Sequence, residues 1–374
     1  SAAFGSTRSR EAEKAMVEQK AAVAMMEIEQ SELNRVSEAF GYNLISTSRL
    51  TGGYASSNFA AVLRPRCGDA GELTAVLKFS YAAMPREEIE HQLTVLRALE
   101  RHGFATNYLL PKLAAAPDAG LCDRYLVTAE DGGGPWVILV TFCAGTAGDK
   151  LLASAAAPVE GAMLESLGRN LAQLHAIPWE VGAVRDIRCG YPVCNTGELL
   201  RAGEVEAALK HVDHPFVSFL QVRLARFRAL FAEDSALPTG FIHGDAFLDN
   251  CIFAEDGQLA ALVDWEDSCT APLVLDVAIC ISAACFSADN ELQQHRCAHI
   301  LRGYTAQRAL SEAELGAIAD FMWAGALACA FYRWREFNIS RPDSSQETKQ
   351  AYVIMQRRCE LLEATPLDTR GWLL

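Results

Sequence analysis

The stretch Phe241-Ile-His243-Gly-Asp245-Ala-Phe-Leu-Asp-Asn250-Cys-Ile-Phe253, followed by Ala261-Leu-Val263-Asp264-Trp-Glu266, decides how this chain is read. Its apolar runs, Phe241-Ile242, Cys251 to Phe253 and Leu259 to Val263, have strand length, and the polar residues crowd between them. A loop and two adjacent strands thereby carry Asp245, Asn250 and Asp264 toward one point. An aspartate on such a loop can accept or orient a hydroxyl proton. The asparagine carbonyl and the second carboxylate are hard oxygen donors suited to a divalent cation. A plainer reading makes the three a turn acceptor, a left-handed turn residue and a strand-end cap. What lies on either side of them decides between the two.

Upstream stands Leu164-Glu-Ser-Leu-Gly-Arg-Asn-Leu-Ala-Gln-Leu-His175, with helical spacing, and downstream Pro272-Leu-Val-Leu-Asp276-Val-Ala278. Further upstream, Leu44 to Leu50, Asn58 to Leu63, Leu73 to Phe79 and Trp136 to Phe142 read as strands, and Pro85 to His102 reads as a helix with acidic Glu87 and Glu88 early and Gly103 at its end. The Gly52-Gly53 turn, with Ser56 and Ser57 after it, can lay backbone amides and hydroxyls over phosphates. Lys78 sits in the apolar strand Ala75-Val-Leu-Lys-Phe79, where an ammonium needs phosphate oxygens and a carboxylate as partners. We take Glu90 as that carboxylate, with Glu87 and Glu88 on the same helix as alternatives. Together these parts suit Mg-assisted phosphoryl transfer, in which the protein positions groups and neutralises developing charge.

Order and spacing resemble the aminoglycoside phosphotransferase and choline kinase superfamily, with its HxDxxxxN loop, VDxE segment, LGxxLAxLH helix and xDxA segment. The resemblance implies an α+β, bilobal protein-kinase-like fold with a small antiparallel β N-lobe and a mainly helical C-lobe. It implies ATP and Mg as cofactors, Asp245 as the catalytic group, and Asn250 and Asp264 as metal ligands. His243 and Asp276 then support the loop without doing chemistry, and Val137 to Gly145 is the crossover whose backbone meets adenine near Thr141 and Cys143.

Within the superfamily the chain is most similar to homoserine kinase of the aminoglycoside-phosphotransferase type, over roughly Ser31 to Glu363. Leu275-Asp-Val-Ala-Ile-Cys-Ile-Ser-Ala-Ala-Cys-Phe286 resembles that group's YDVAICLNAWCF. Asp264 to Asp267, DWED, departs from a DFYF-like segment, and Gly325 to Tyr332 lacks an expected arginine; both departures bear on the acceptor. A small amino acid or amino alcohol is the implied substrate, homoserine first and choline, ethanolamine, hydroxylysine or an aminoglycoside after it. Arg333 or Arg335 is the candidate for an acceptor carboxylate, and Glu266 or Asp267 for its ammonium. A pseudokinase kept as a binding module is the reading from another class.

The 374 residues suggest three parts: a helical extension over 1–40, a nucleotide-binding N-lobe over 41–145 and a catalytic, acceptor-binding C-lobe over 146–374. The extension is the candidate docking element for a protein partner. A net charge of −14 argues against nucleic acid as a partner. The longest apolar run is about ten residues, short of the roughly 18 a membrane span needs, so no membrane insertion is expected. The 12 cysteines include no CxxC pair and read as buried hydrophobes. They suggest cytoplasm or another reducing compartment, such as an organelle stroma or matrix, and a protein that is not secreted. His211 with His214, and His295 with His299, are spaced to share a helical face, but no third ligand accompanies either pair.

Overall fold

Alternation along the early strands builds the first half of the molecule. In this computed structural model, residues 28–373 are described apart from 51–55, 69–70, 82–83, 129–134, 181–183, 189–194, 211 and 233–235. Gly53, His211 and the helix expected before residue 28 lie outside the described residues. The chain divides into two units. One holds the described residues up to Arg101 together with Asn107–Cys143, and the other holds His102–Thr106 with everything from Ala144 onward.

In the first unit, α1 (Gln30–Phe40) precedes β1 (Tyr42–Leu50), β2 (Ser57–Pro65), β3 (Leu73–Phe79), α2 (Arg86–Arg101), α3 (Leu121–Tyr125), β4 (Leu126–Thr128) and β5 (Trp136–Thr141). The five strands form one antiparallel sheet in the order β1-β2-β3-β5-β4. Phe59, Ala61 and Leu63 on β2, with Ala75, Leu77 and Phe79 on β3, point to one face because side chains alternate along a strand. Leu33, Val36 and Phe40 of α1 cover that face. The last eleven residues of the expected extension therefore belong to the sheet's own core. Gly41 ends α1 at φ 94°, closing the turn into β1.

The second unit is mainly helical. It contains β6 (Thr146–Ala147), α4 (Gly148–Ser154), α5 (Ala157–His175), α6 (Asn195–Leu200), α7 (Ala202–Leu209), α8 (Pro215–Gln221) and α9 (Leu224–Ala229). Then come β7 (Thr239–Ile242), β8 (Cys251–Phe253), β9 (Leu259–Leu262), β10 (Cys269–Pro272), α10 (Leu273–Ala284), α11 (Gln294–Thr305), α12 (Glu312–Arg335), α13 (Gln346–Lys349) and α14 (Val353–Ala364). Two small sheets, β10-β7 and β6-β8-β9, carry the polar stretch. A capping box starts α12: Ser311 accepts from the Glu314 N–H while Glu314 accepts from the Ser311 N–H. In length and composition α12 could cross a membrane. It packs instead on α10 and α14, burying Leu315, Ile318, Phe321, Trp323, Leu327 and Trp334.

Two stretches of helical composition are interrupted. Val217 to Phe231 spans two helices, α8 and α9, because the Arg223 N–H bonds the Leu220 carbonyl in a tighter i−3 turn. Glu347 to Glu363 is split between α13 and α14, where Asn338 takes the Lys349 carbonyl and Arg333 the Ala351 carbonyl. The xDxA segment opens α10, buried at every position but Ala283, whose continuous apolar run shows no period. The ten described cysteines are free thiols.

Gly168 on α5 and Gly303 on α11 let two backbones touch. A methyl group at Gly168 would stand 2.0 Å from the Ile300 carbonyl oxygen, and one at Gly303 2.0 Å from that of Glu165. Either Gly→Ala change should force the helices apart and destabilise the protein by about 1–3 kcal/mol or more. Gly316 on α12 faces open space, so Gly316→Ala should stabilise by about 0.4–1 kcal/mol. Thermal unfolding of the three variants checks this; an unchanged midpoint for both Gly168→Ala and Gly303→Ala would refute the close contact.

Candidate active site

Asp276, on the first turn of α10, is fully buried. Its Oδ2 accepts the His243 N–H at 2.8 Å and its Oδ1 the Gly244 N–H at 3.0 Å. Gly244 has φ 81°, a left-handed conformation that glycine tolerates without strain. His175, at the end of α5, reaches the same Oδ2 through Nε2 at 3.2 Å, and its Nδ1 lies 2.8 Å from the Tyr304 hydroxyl. Arg308 donates to that hydroxyl at 3.1 Å and to Glu314 at 2.8 Å. Within this relay the His175 Nε2–H donates to Asp276. Burial alone would push the Asp276 pKa up. The hydrogen bond and charge of His175, with His243 behind them, outweigh burial and hold the carboxyl below its ordinary value.

The His243 ring ties two segments together. Its Nε2 meets the Val263 carbonyl at 3.0 Å, and its Nδ1 accepts the Asp245 N–H at 3.3 Å. With both nitrogens engaged by backbone, the ring holds the loop and has no nitrogen left to act as a base. Asn250 then folds back, donating through Nδ2 to the Asp245 backbone carbonyl and to its Oδ2, each at 2.9 Å. Among the described residues its side-chain carbonyl oxygen has no hydrogen-bond partner. Asp264 follows β9 at φ 70° and ψ 73°, an uncommon conformation for a side chain larger than hydrogen.

The electrostatics are one-sided. Burial raises the Asp245 pKa well above its ordinary value, and the carboxylates of Asp267, Asp264 and Asp249 raise it further, against the Asn250 hydrogen bond. An all-oxygen, negatively charged set of this kind fits a hard divalent cation: Asn250 and Asp264 would hold it. Among the described residues no group of three His, Cys, Asp or Glu side chains makes a metal cage by itself.

In the first unit, Lys78 on β3 is half-buried beside Asn58 of β2, and Ser57, opposite Phe79, is buried next to half-buried Ser56. Glu90 is not placed as expected. Its carboxylate binds Arg86 at 2.8 Å and accepts from the Cys122 thiol, and the Arg86 hydrogen bond holds its pKa below the ordinary value. The buried carboxylate of α2 is Glu88, which accepts from the Tyr81 hydroxyl at 2.8 Å. Thr141 also differs from expectation. Its N–H bonds the Tyr108 carbonyl and its hydroxyl accepts the Tyr108 N–H, so its donor is unavailable to a purine. Burial raises the Cys143 thiol pKa.

On the acceptor side, Glu266 and Asp267 sit half-buried in the short turn after Asp264. Arg335 is ion-paired to Glu198 and lies near the Phe331 and Tyr332 rings. Among the described residues Arg333 makes one hydrogen bond, to the Ala351 carbonyl at 3.3 Å. Residues the sequence reading passed over are here too. Burial raises the Tyr332 phenol, and the charges of Glu336, Asp267 and Asp245 add to it, while Cys329 lies within electrostatic range of Arg333, Asp245, Arg358 and Asp249. Of the two histidine pairs, His214 caps α8 and accepts from Trp334, and His295 and His299 pair with Glu160 and Glu165.

A β-rich first unit and a helical second unit carrying this loop define a protein-kinase-like α+β fold. The same fold recurs in amicoumacin kinase hAmiN, solved with AMP-PNP, Ca2+ and Ami, at TM-score 0.67 and 15% identity over 92% of this chain and 96% of that one. It recurs in a choline/ethanolamine kinase family protein from Mesorhizobium loti at TM-score 0.53 and 16% identity, over 88% and 91%. The model of the phosphotransferase enzyme family, APH, matches residues 46–310, and the chain belongs to that family. A homoserine kinase of Rhizobium johnstonii is 34% identical over 150 residues, 40% of this chain and 43% of that protein. The Rhodospirillum rubrum homoserine kinase is 30% identical over 229 residues, 59% of this chain and 62% of that protein. The chain thus spans less than two thirds of the length of these curated relatives.

Asp276→Asn should cost about 3–5 kcal/mol at neutral pH, because an amide cannot accept from all three donors. The Asp276 pKa is depressed on folding, so its contribution is complete above the unfolded value near 3.9 and is lost as pH falls through the folded value. Urea unfolding from pH 7 to pH 3 should therefore show the gap between wild type and variant closing below about pH 4. A gap independent of pH would contradict the ionised carboxylate.

Proposed function

We propose that the protein is a kinase that transfers the γ-phosphoryl group of ATP, with Mg, to the hydroxyl of a small amino acid, homoserine being the leading acceptor. One observation carries the reading: Asp245 and Asn250 are locked together on a loop braced by Asp276, with Asp264 and Asp267 close enough to raise the Asp245 pKa. Family membership and the relatives named homoserine kinase support the choice of acceptor.

In this reading Asp245 orients the acceptor hydroxyl and takes its proton as the oxygen bonds to the γ-phosphorus and the bond to the bridging oxygen breaks. Asn250 restrains the Asp245 carboxylate, so one oxygen is left to face the hydroxyl. Mg, held by Asn250 and Asp264, would neutralise phosphate charge. Lys78 and the Ser56-Ser57 pair bind phosphate oxygens, with Glu88 in place of Glu90 as the carboxylate associated with Lys78. Asp267 and Glu266 supply negative charge for the acceptor ammonium.

Asp245→Asn should lower turnover by about 10²- to 10⁴-fold while ATP affinity stays nearly constant. Asp264→Ala should remove Mg-dependent ATP binding in a calorimetric titration. ATP consumption screened over homoserine, choline, ethanolamine, hydroxylysine and an aminoglycoside tests the acceptor. Near-normal turnover of Asp245→Asn would remove Asp245 from the mechanism, and consumption with choline alone would overturn the amino-acid acceptor.

A further inference from the structure

In the second unit of this acidic protein several half-buried arginines are paired with carboxylates: Arg223 with Glu363, Arg296 with Glu160, Arg308 with Glu314, Arg335 with Glu198 and Arg341 with Glu336. Two arginines on packed helices are not. Arg358 on α14 is 5% exposed, yet its guanidinium meets only neutral groups: the Asn290 side-chain oxygen, the Ser282 carbonyl and hydroxyl, and the face of Phe286 at 4.0 Å. Its Nη2 has no hydrogen-bond partner among the described residues. Arg333 on α12 is half-buried with a single bond to a backbone carbonyl. Among the described residues neither arginine has a carboxylate at ion-pair distance.

A buried cation without a counter-charge is expensive. The second guanidinium adds to that expense, since burial and then the charge of Arg333 bring Arg358 down to about 10. Helix-to-helix bonds fix both positions: Arg333 grips the Ala351 carbonyl just before α14, and the Cys359 thiol reaches the Trp323 carbonyl of α12. Cys329, one turn before Arg333, is in electrostatic range of both arginines and of Asp245 and Asp249. The two cations and the Asp245–Asp249 loop therefore all act on one residue of α12.

We propose that Arg333 and Arg358 form the seat of the acceptor's carboxylate, so that the substrate is an amino acid and not a cationic amino alcohol. This rests on the kinase reading above and adds its specificity determinant. An anion supplies the counter-charge both guanidinium groups lack, and planar guanidinium forks suit the two oxygens of a carboxylate. Cys329 lies beside the carboxylate end of the acceptor, and Asp245 faces the hydroxyl end. Choline, ethanolamine and aminoglycosides bring positive charge and no carboxylate to this region, leaving the pair uncompensated.

The test compares homoserine with 3-amino-1-propanol, the same molecule without its carboxylate, using wild type, Arg333→Ala, Arg358→Met and the charge-conserving Arg358→Lys. Wild type should favour homoserine by at least about 10²-fold in kcat/KM. Each neutral substitution should lower kcat/KM for homoserine by roughly 10²- to 10³-fold, mainly through KM. The KM for ATP and the rate with 3-amino-1-propanol should stay within about threefold, collapsing the discrimination. Arg358→Lys should recover part of the loss. Calorimetric binding of homoserine is read in parallel and decides the seat even where turnover is absent. Equal loss for both compounds, or homoserine binding indifferent to all three substitutions, would overturn the seat. Discrimination that survives in Arg333→Ala and Arg358→Met would overturn it as well. Failure of the kinase reading looks different: ATP would not bind with Mg, while homoserine binding would still respond to the arginines.

Discussion

Everything at the candidate site hangs from the buried carboxylate of Asp276. Two consecutive backbone N–H groups, those of His243 and Gly244, point at its two oxygens, and such a fork can be satisfied at once only by an ionised carboxyl. The bond fixes where the strand stops and the loop starts. From there His243 passes the constraint to Val263 through its ring, and the next residue is Asp264. Position thus travels from α10 to the two acidic segments through three hydrogen bonds and no flexible side chain. The relay from Arg308 through Tyr304 and His175 to Asp276 closes the network on its far side, anchoring α5 and α11 to the same carboxylate.

Burial and charge divide the labour between the aspartates. Asp276 is the more buried, yet it stays easy to ionise because donors surround it. Asp245 is surrounded by other carboxylates and has one amide donor, so its pKa moves the opposite way. The contrast separates a structural carboxylate from one whose environment is left unbalanced until a cation and a substrate arrive. Arg333 and Arg358 show the same imbalance with the opposite sign. Unbalanced charge of both kinds thus occurs within one helical unit.

The loop of Asp245 and Asn250 was legible in the sequence because its polar residues are packed into short intervals. Asp245 and Asn250 sit on one loop, so their spacing already restricts their separation, and the strands beside them are short apolar runs. The xDxA segment gave away Asp276 for the same reason, although the helix it opens showed no period, being buried on every side. Choosing between Glu90 and Glu88 is a matter of direction. Positions two apart on a helix point about 200° away from each other, and only the packing of α2 reveals that Glu88 faces inward while Glu90 turns to Arg86. Arg358 was invisible because the pair Arg357-Arg358 reads as a solvated helix surface. Its burial comes from Ser282, Phe286 and Asn290, some 70 positions earlier in the chain. Thr141 escaped likewise: the Tyr108 segment that occupies its N–H is separate in sequence.

The left-handed backbone at Asp264 sets a direction for how this chain would drift. A residue with a side chain is held there at an expense of order 1–3 kcal/mol, which packing gains elsewhere must offset. Glycine would sit there at ease and make the molecule sturdier. Under the proposed reading, descendants released from phosphotransfer would gain by losing this carboxylate early, well before Asp276, whose loss loosens the whole unit. The residue at position 264 would then separate working copies of this architecture from retired ones.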